Sequence, residues 1–136
     1  MSHTCKAALV RCMDFRLEPG LTDYLRSQHL LHDMDMISIA GAAKNIAAEP
    51  EGFVMTQIGL SVQLHHISEV HLMQHTDCGA YGGSASQTSL EAEKAMHLSE
   101  MQKAKEVILS AHPSLIIKMF LAVIEDNQLS RVESLD

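Results

Sequence analysis

Residues 6–11 (Lys-Ala-Ala-Leu-Val-Arg) form a short apolar run that predicts a buried strand, with Cys12 at its C-terminal end. Pro19 and Gly20 punctuate the exit, and Leu21, Leu25 and Gln28, with Tyr24 and Leu31 alongside, suit one face of a helix over residues 21–31. Residues 34–40 alternate apolar and polar as a second strand, ending at Gly41. Pro50 lies near the start of a second helix, along which Val54, Ile58, Val62 and His65 recur. Residues 69–75 predict a third strand, and Gly79, Gly82 and Gly83 make the next segment a loop. Thr88-Ser-Leu-Glu91 reads as a capping box opening a helix that carries Leu98, Met101, Ala104, Ile108 and Ala111 inward until Pro113 stops it. Residues 115–124 are a fourth strand, Asp126-Asn127 a turn, and residues 129–132 a short antiparallel return.

Strands alternating with helices predict an α/β domain with a mainly parallel four-stranded sheet flanked by helices, joined by right-handed crossovers, with a short antiparallel edge strand at the C-terminus. In open parallel sheets ligands bind beyond the carboxyl ends of the strands, where the strand order reverses. Cys12 and His75 both fall at such ends. With the order 2-1-3-4, strands one and three are neighbours, which brings Cys12 beside His75 and Cys78. Gly41, from the end of strand two, is then close enough to offer backbone N–H groups.

Two thiolates and an imidazole suit Zn2+ in softness and size, and three protein ligands leave a fourth tetrahedral position open, as in catalytic rather than structural zinc. Two thiolates also neutralise the ion, so a bound water is acidified less than among three neutral histidines. Asp14 and Arg16 are the candidates to help, because residues i, i+2 and i+4 of an extended segment share a face with Cys12. Arg16 can hold Asp14 in a bidentate pair and leave an oxygen to accept a hydrogen bond from the water. Freed from Arg16, Asp14 can instead take the fourth position and close the site. Asp77, between His75 and Cys78, reads either as a support for a ligand or as a solvent-facing acid. With no second ligand cluster visible, one zinc per chain is expected.

Composition narrows the class. With 136 residues, 46% hydrophobic and 20% charged, the chain fits one globular domain over residues 1–136. A formal charge of −7 argues against a nucleic-acid surface, which needs a basic face. No stretch approaches a membrane span or the apolar core of a signal peptide, so a cytoplasmic protein with no membrane partner is expected. In a reducing compartment Cys12 and Cys78 are better read as thiolate ligands than as a disulfide, and Cys5 as a small apolar residue near a strand start. The remaining histidines share no ligand spacing and read as surface or packed residues. Glu91-Ala-Glu-Lys94, with Glu100, Lys103, Lys105 and Glu106, reads as a solvated helix face.

Cys12-Met-Asp14-Phe-Arg16-Leu, Ala40-Gly41-Ala and His75-Thr-Asp-Cys78-Gly79 resemble the motifs of the β-class carbonic anhydrases, in the family's order and with similar intervals. The resemblance implies zinc on Cys12, His75 and Cys78, an Asp14-Arg16 dyad, anion-binding backbone at Gly41 and Gly79, and reversible hydration of CO2 to bicarbonate by a zinc-bound hydroxide. It also implies a homodimer with active sites near the subunit interface. The family usually has Ser between the Asp and the Arg, where this chain has Phe15. It usually has Arg-Asn before Ala-Gly, where this chain has Ser38-Ile39. Two other readings stay open: a catalytically silent zinc module with a binding or regulatory role, and a hydrolase of a related molecule such as CS2 or COS.

Overall fold

The computed structural model describes residues 3–136. Among these, five strands and four α-helices follow in chain order, with short 3-10 turns at Phe15–Leu17, Gly79–Tyr81 and Ser84–Ser86: β1 (Ala7–Arg11), α1 (Gly20–Ser27), β2 (Met34–Ser38), α2 (Lys44–Ala47), α3 (Phe53–His65), β3 (Glu69–His75), α4 (Leu90–Ala111), β4 (Ile116–Glu125) and β5 (Gln128–Ser134). The sheet has five strands in the order β2-β1-β3-β4-β5. The first four are parallel, and β5 runs antiparallel to β4. The expected order 2-1-3-4 is therefore present, extended by a full edge strand of 7 residues rather than a short return.

Burial explains why β1 and β3 read as they do. Both are buried at every position, because they lie in the middle of the sheet with packing on both faces. Ala8, Val10, Val70 and Leu72 face a core shared with Ile46, Val54, Ile58, Met101, Ala104 and Ile108 from α2, α3 and α4. Leu9 and Met73 face the other layer, closed by Leu17, Leu21 and Leu25 with β5 alongside. β2 is an edge strand in which only Ile37 is buried, which accounts for its mixed pattern.

Several boundaries differ from expectation for local reasons. α1 ends at Ser27, not Leu31, because His29 takes a left-handed backbone conformation (φ 58°); Leu30 still packs inward, while Leu31 is exposed. β2 stops at Ser38, and residues 39–43 turn away through Gly41 (φ 82°) into the four-residue α2, which the sequence pattern did not suggest. α4 is capped by Ser89, whose hydroxyl accepts from the Ala92 N–H, so the Thr88–Glu91 box is not what opens it. Ala111, expected inside, is exposed at its end. Asp126 and Asn127 do form the turn, both with positive φ as a two-residue hairpin loop requires. Among the described residues no helix is long and apolar enough to cross a membrane.

Candidate metal centre

β1 and β3 lie side by side with Arg11 opposite Met73, so Cys12, one residue past β1, comes level with the end of β3 where His75 sits. Cys78 follows after a turn in which Asp77 is left-handed (φ 58°). The ligand atoms of Cys12, His75 and Cys78 lie within 4.8 Å of one another, and all three residues are buried. Sequence reasoning placed these three together, and the fold does so.

The histidine is set up to bind through one particular atom. Its Nδ1 lies 2.7 Å from the Thr76 carbonyl oxygen, which can only accept, so Nδ1 carries the proton and Nε2 presents a lone pair. That Nε2 is buried with no hydrogen-bond partner. A buried polar atom without a partner is costly, and an ion bound there removes the cost. The His75 pKa is pushed down by burial, but the Cys12 sulfur and the Thr76 carbonyl outweigh this and leave it raised.

Both sulfurs are surrounded by N–H donors. Cys12 receives the backbone N–H groups of Gly41 and Asp14, and Cys78 those of Ala80 and Tyr81. The Cys12 thiol is held far below the ordinary range, chiefly by a hydrogen bond from Cys78, while the Cys12 charge and burial push Cys78 up. The ionisation of each sulfur thus opposes that of the other, and a dication in that space would favour both as thiolates beside the imidazole lone pair. The residues fit a divalent ion of borderline softness.

Asp14 and Arg16 stand at the mouth of this space. Arg16 donates Nε–H to Asp14 Oδ1 (3.0 Å) and Nη2–H to Oδ2 (2.8 Å), a two-toothed fork, and its backbone N–H also reaches Oδ1 (2.9 Å). The same guanidinium donates to Asp77 through Nη1 to Oδ2 (2.9 Å) and Nη2 to the backbone oxygen (2.9 Å). Arg16 therefore holds Asp14 in a fixed pose and holds its carboxyl down at about 2. Asp14 Oδ2 is 3.7 Å from His75 Nε2, beside the space the three ligands enclose. Asp77, which the sequence left between two roles, anchors the arginine.

Around this centre are residues that sequence reasoning missed. Glu93 belongs to the helix stretch expected to be solvated, yet it is 3% exposed. Its carboxylate accepts the Asp77 N–H (2.7 Å) and the Ser84 hydroxyl (2.9 Å), bracing the turn that carries Cys78. Gln74 accepts the Ala43 N–H (3.0 Å) and donates to the Tyr81 hydroxyl (3.2 Å), tying the residues after Gly41 to those after Cys78. Arg11 donates to the Cys12 carbonyl (2.7 Å) and pairs with Glu18 (3.0 Å). The signal for Gln74 was its presence in a strand buried throughout. Gly41 sits against Ala80, where an added Cβ would lie 3.0 Å from the Ala80 Cβ, while the space at Gly79 is open to 4 Å. Phe15 and Met13, at the positions flanking Asp14, are 76% and 65% exposed.

The family model described as "Putative carbonic anhydrase" matches residues 2–133. The chain belongs to that family. Its fold is that of solved β-carbonic anhydrases: isoform I from Trichomonas vaginalis superposes with a TM-score of 0.64 at 15% identity, covering 98% of this chain and 84% of that one. The β-carbonic anhydrase CcaA gives 0.63 at 16% identity, covering 99% and 75%. In sequence the chain is similar to proteins of Rickettsia conorii and Rickettsia bellii named only "Uncharacterized protein", at 27% and 28% identity over 120 residues. Those matches cover 83% of this chain, and 64% and 73% of the two relatives, so the chain spans just under two thirds of the length of the first.

Proposed function

We propose that this carbonic anhydrase family member binds Zn2+ through Cys12, His75 and Cys78 and catalyses the reversible hydration of CO2 to bicarbonate. The observation that carries the reading is the fork by which Arg16 holds Asp14 beside, and off, the ligand set. Zinc, when bound, supplies the Lewis acidity that makes water a nucleophile near neutral pH.

The chain's own residues do the rest. Asp14, ionised at neutral pH, can only accept hydrogen bonds, so a water beside it must point a proton at Oδ2 and turn a lone pair elsewhere. Arg16 fixes that carboxylate and Asp77 fixes Arg16, which spends the positioning cost before substrate arrives. Gly41 and Gly79 are the backbone positions beside the two sulfurs where bicarbonate would meet the chain, and the space beside Gly79 is open to 4 Å. A homodimer suits the exposed Phe15 and Met13 at the rim of the site, and a reducing, cytoplasmic setting suits three free thiols.

The same fork weighs against a silent module closed by Asp14, since Asp14 would have to leave Arg16 to reach the metal. The test pairs metal analysis with CO2 hydration for wild type and Cys78→Ser. One zinc at this centre with hydration in wild type, and loss of both in the variant, is expected. Full zinc at this centre without hydration would leave the silent module in its place.

A further inference from the structure

At the opposite end of the sheet, where β1 and β2 begin and α3 ends, a second group of ligand-type side chains comes together. Cys5 precedes β1, Asp35 is the second residue of β2, and His65 is the last of α3. They are remote in sequence, which is why spacing pointed to one cluster only. Parallel pairing of β1 with β2 sets Ala7 opposite Met34, and the Cys5 N–H donates to the His65 carbonyl (3.2 Å). As a result the ligand atoms of Cys5, Asp35 and His65 lie within 4.8 Å of one another.

The group is organised beyond mere proximity. Asp35 Oδ2 accepts from the Ser61 hydroxyl at 2.5 Å and meets His65 Nδ1 at 2.6 Å. The ring of His3 packs on that of His65, with centroids 5.0 Å apart and planes at 59°. His3, Cys5, Asp35 and His65 share the wall of a surface depression of about 300 Å3, with His32 at its side.

We propose that Cys5, Asp35 and His65 form a second metal site that takes a divalent ion such as Zn2+. One sulfur, one carboxylate oxygen and one imidazole nitrogen are a borderline donor set, and the ring of His3 on that of His65 is the neighbour from which a fourth ligand would come. Ser61 then orients the carboxylate as a supporting partner. Two ligand atoms at about 2.0–2.2 Å from one tetrahedral ion stand about 3.3 Å apart, so the Asp35–His65 contact opens by less than 1 Å when the ion enters. The His65 ring proton moves to Nε2 so that Nδ1 can face the ion, and the Cys5 thiol proton leaves to solvent.

A Cys-His-Asp nucleophile is the competing use of these residues. Burial and the Asp35 charge push the Cys5 thiol up, so without a metal it stays protonated and unreactive. An ion in the site fastens the segment before β1 to both β2 and α3.

Zinc stoichiometry by equilibrium dialysis and elemental analysis tests this independently of catalysis. Wild type is expected to bind two zinc ions per chain, and Cys78→Ser to keep the second site's ion. Cys5→Ser and His65→Ala should each bind one, with affinity for the second ion reduced more than about 100-fold, beyond what loss of a supporting partner alone causes. In a Cys78→Ser background, zinc should raise the melting temperature, and adding Cys5→Ser should abolish that rise, which separates ion loss from misfolding. Saturation of wild type at one ion overturns the proposal. Retention of the second ion by Cys5→Ser also overturns it, since scattered surface histidines would then hold that ion.

Discussion

Arg16 uses one planar group to hold two carboxylates, and that economy makes it the most sensitive residue of the centre. Its Nε and Nη2 serve Asp14, while Nη1 and Nη2 serve Asp77. Lysine, a point charge, cannot reproduce the fork, so Arg16→Lys should lose most of the pose even with the charge kept. The Asp14–Arg16 pair was legible from its place just after a strand end, but not for the expected reason: Phe15–Leu17 is a 3-10 turn rather than an extended segment, and Asp14 caps it by accepting the Arg16 N–H. Glu93 was not legible, since an acid in a helix rich in charge looks solvated, and for His97 the sequence left surface and packed positions both open. The buried stripe of α4 in fact runs Glu93, His97, Met101, Ala104, Ile108, so its first two members are polar. His97 is fully buried, and burial pushes its pKa down to about 4. A histidine depressed in the folded state contributes stability above its unfolded value near 6.5 and loses it as pH falls toward 4, because the unfolded chain takes up the proton first. The loss is about 3 kcal/mol as an order of magnitude. Buried His71, also depressed by burial, acts in the same direction. Urea unfolding between pH 7 and 4 should show a marked decline in wild type and a shallower one in His97→Asn.

At the scale of elements, the strands were the most legible part. β1 and β3 are apolar runs bounded by the residues that later carry chemistry, and the hairpin turn announces itself by Asp126-Asn127. What the sequence did not disclose was set by tertiary contact. α2 exists because residues 39–43 turn back over the sheet, where the Ala43 N–H finds Gln74, and β5 is longer than its weak pattern because β4 offers it a full edge. The start of α4 is a case where two adjacent residues compete for one role. Ser89, not Thr88, accepts the Ala92 N–H, although Thr88-Ser-Leu-Glu91 satisfies the capping-box pattern. Ser89→Ala should cost about 1 kcal/mol of unfolding free energy in urea, and Thr88→Ala much less. Equal costs would show that the box forms in solution.

For the whole molecule, the two ends of one sheet carry two separate groups of ligand-type side chains. Family membership and fold are secured by the sequence match over residues 2–133 and by the superposition on solved β-carbonic anhydrases. On the proposed function, conversion of that fold into activity would depend on Cys12, His75 and Cys78 holding a metal with a fourth position left open. Light scattering at micromolar concentration should give twice the 15.0 kDa chain mass, as the exposed Phe15 and Met13 favour. A clean monomer would remove the dimer and the idea that a partner shelters the site's rim. The central claim is that Arg16 keeps Asp14 off the metal and so keeps the site open. Its most direct test is the CO2 hydration rate of zinc-loaded wild type and Arg16→Ala, measured side by side from pH 6.5 to 9. The account predicts catalysis by wild type and its loss in Arg16→Ala, with zinc retained at Cys12, His75 and Cys78 in both. Equal rates in the two proteins, or an inactive wild type with zinc fully bound at that centre, would contradict it.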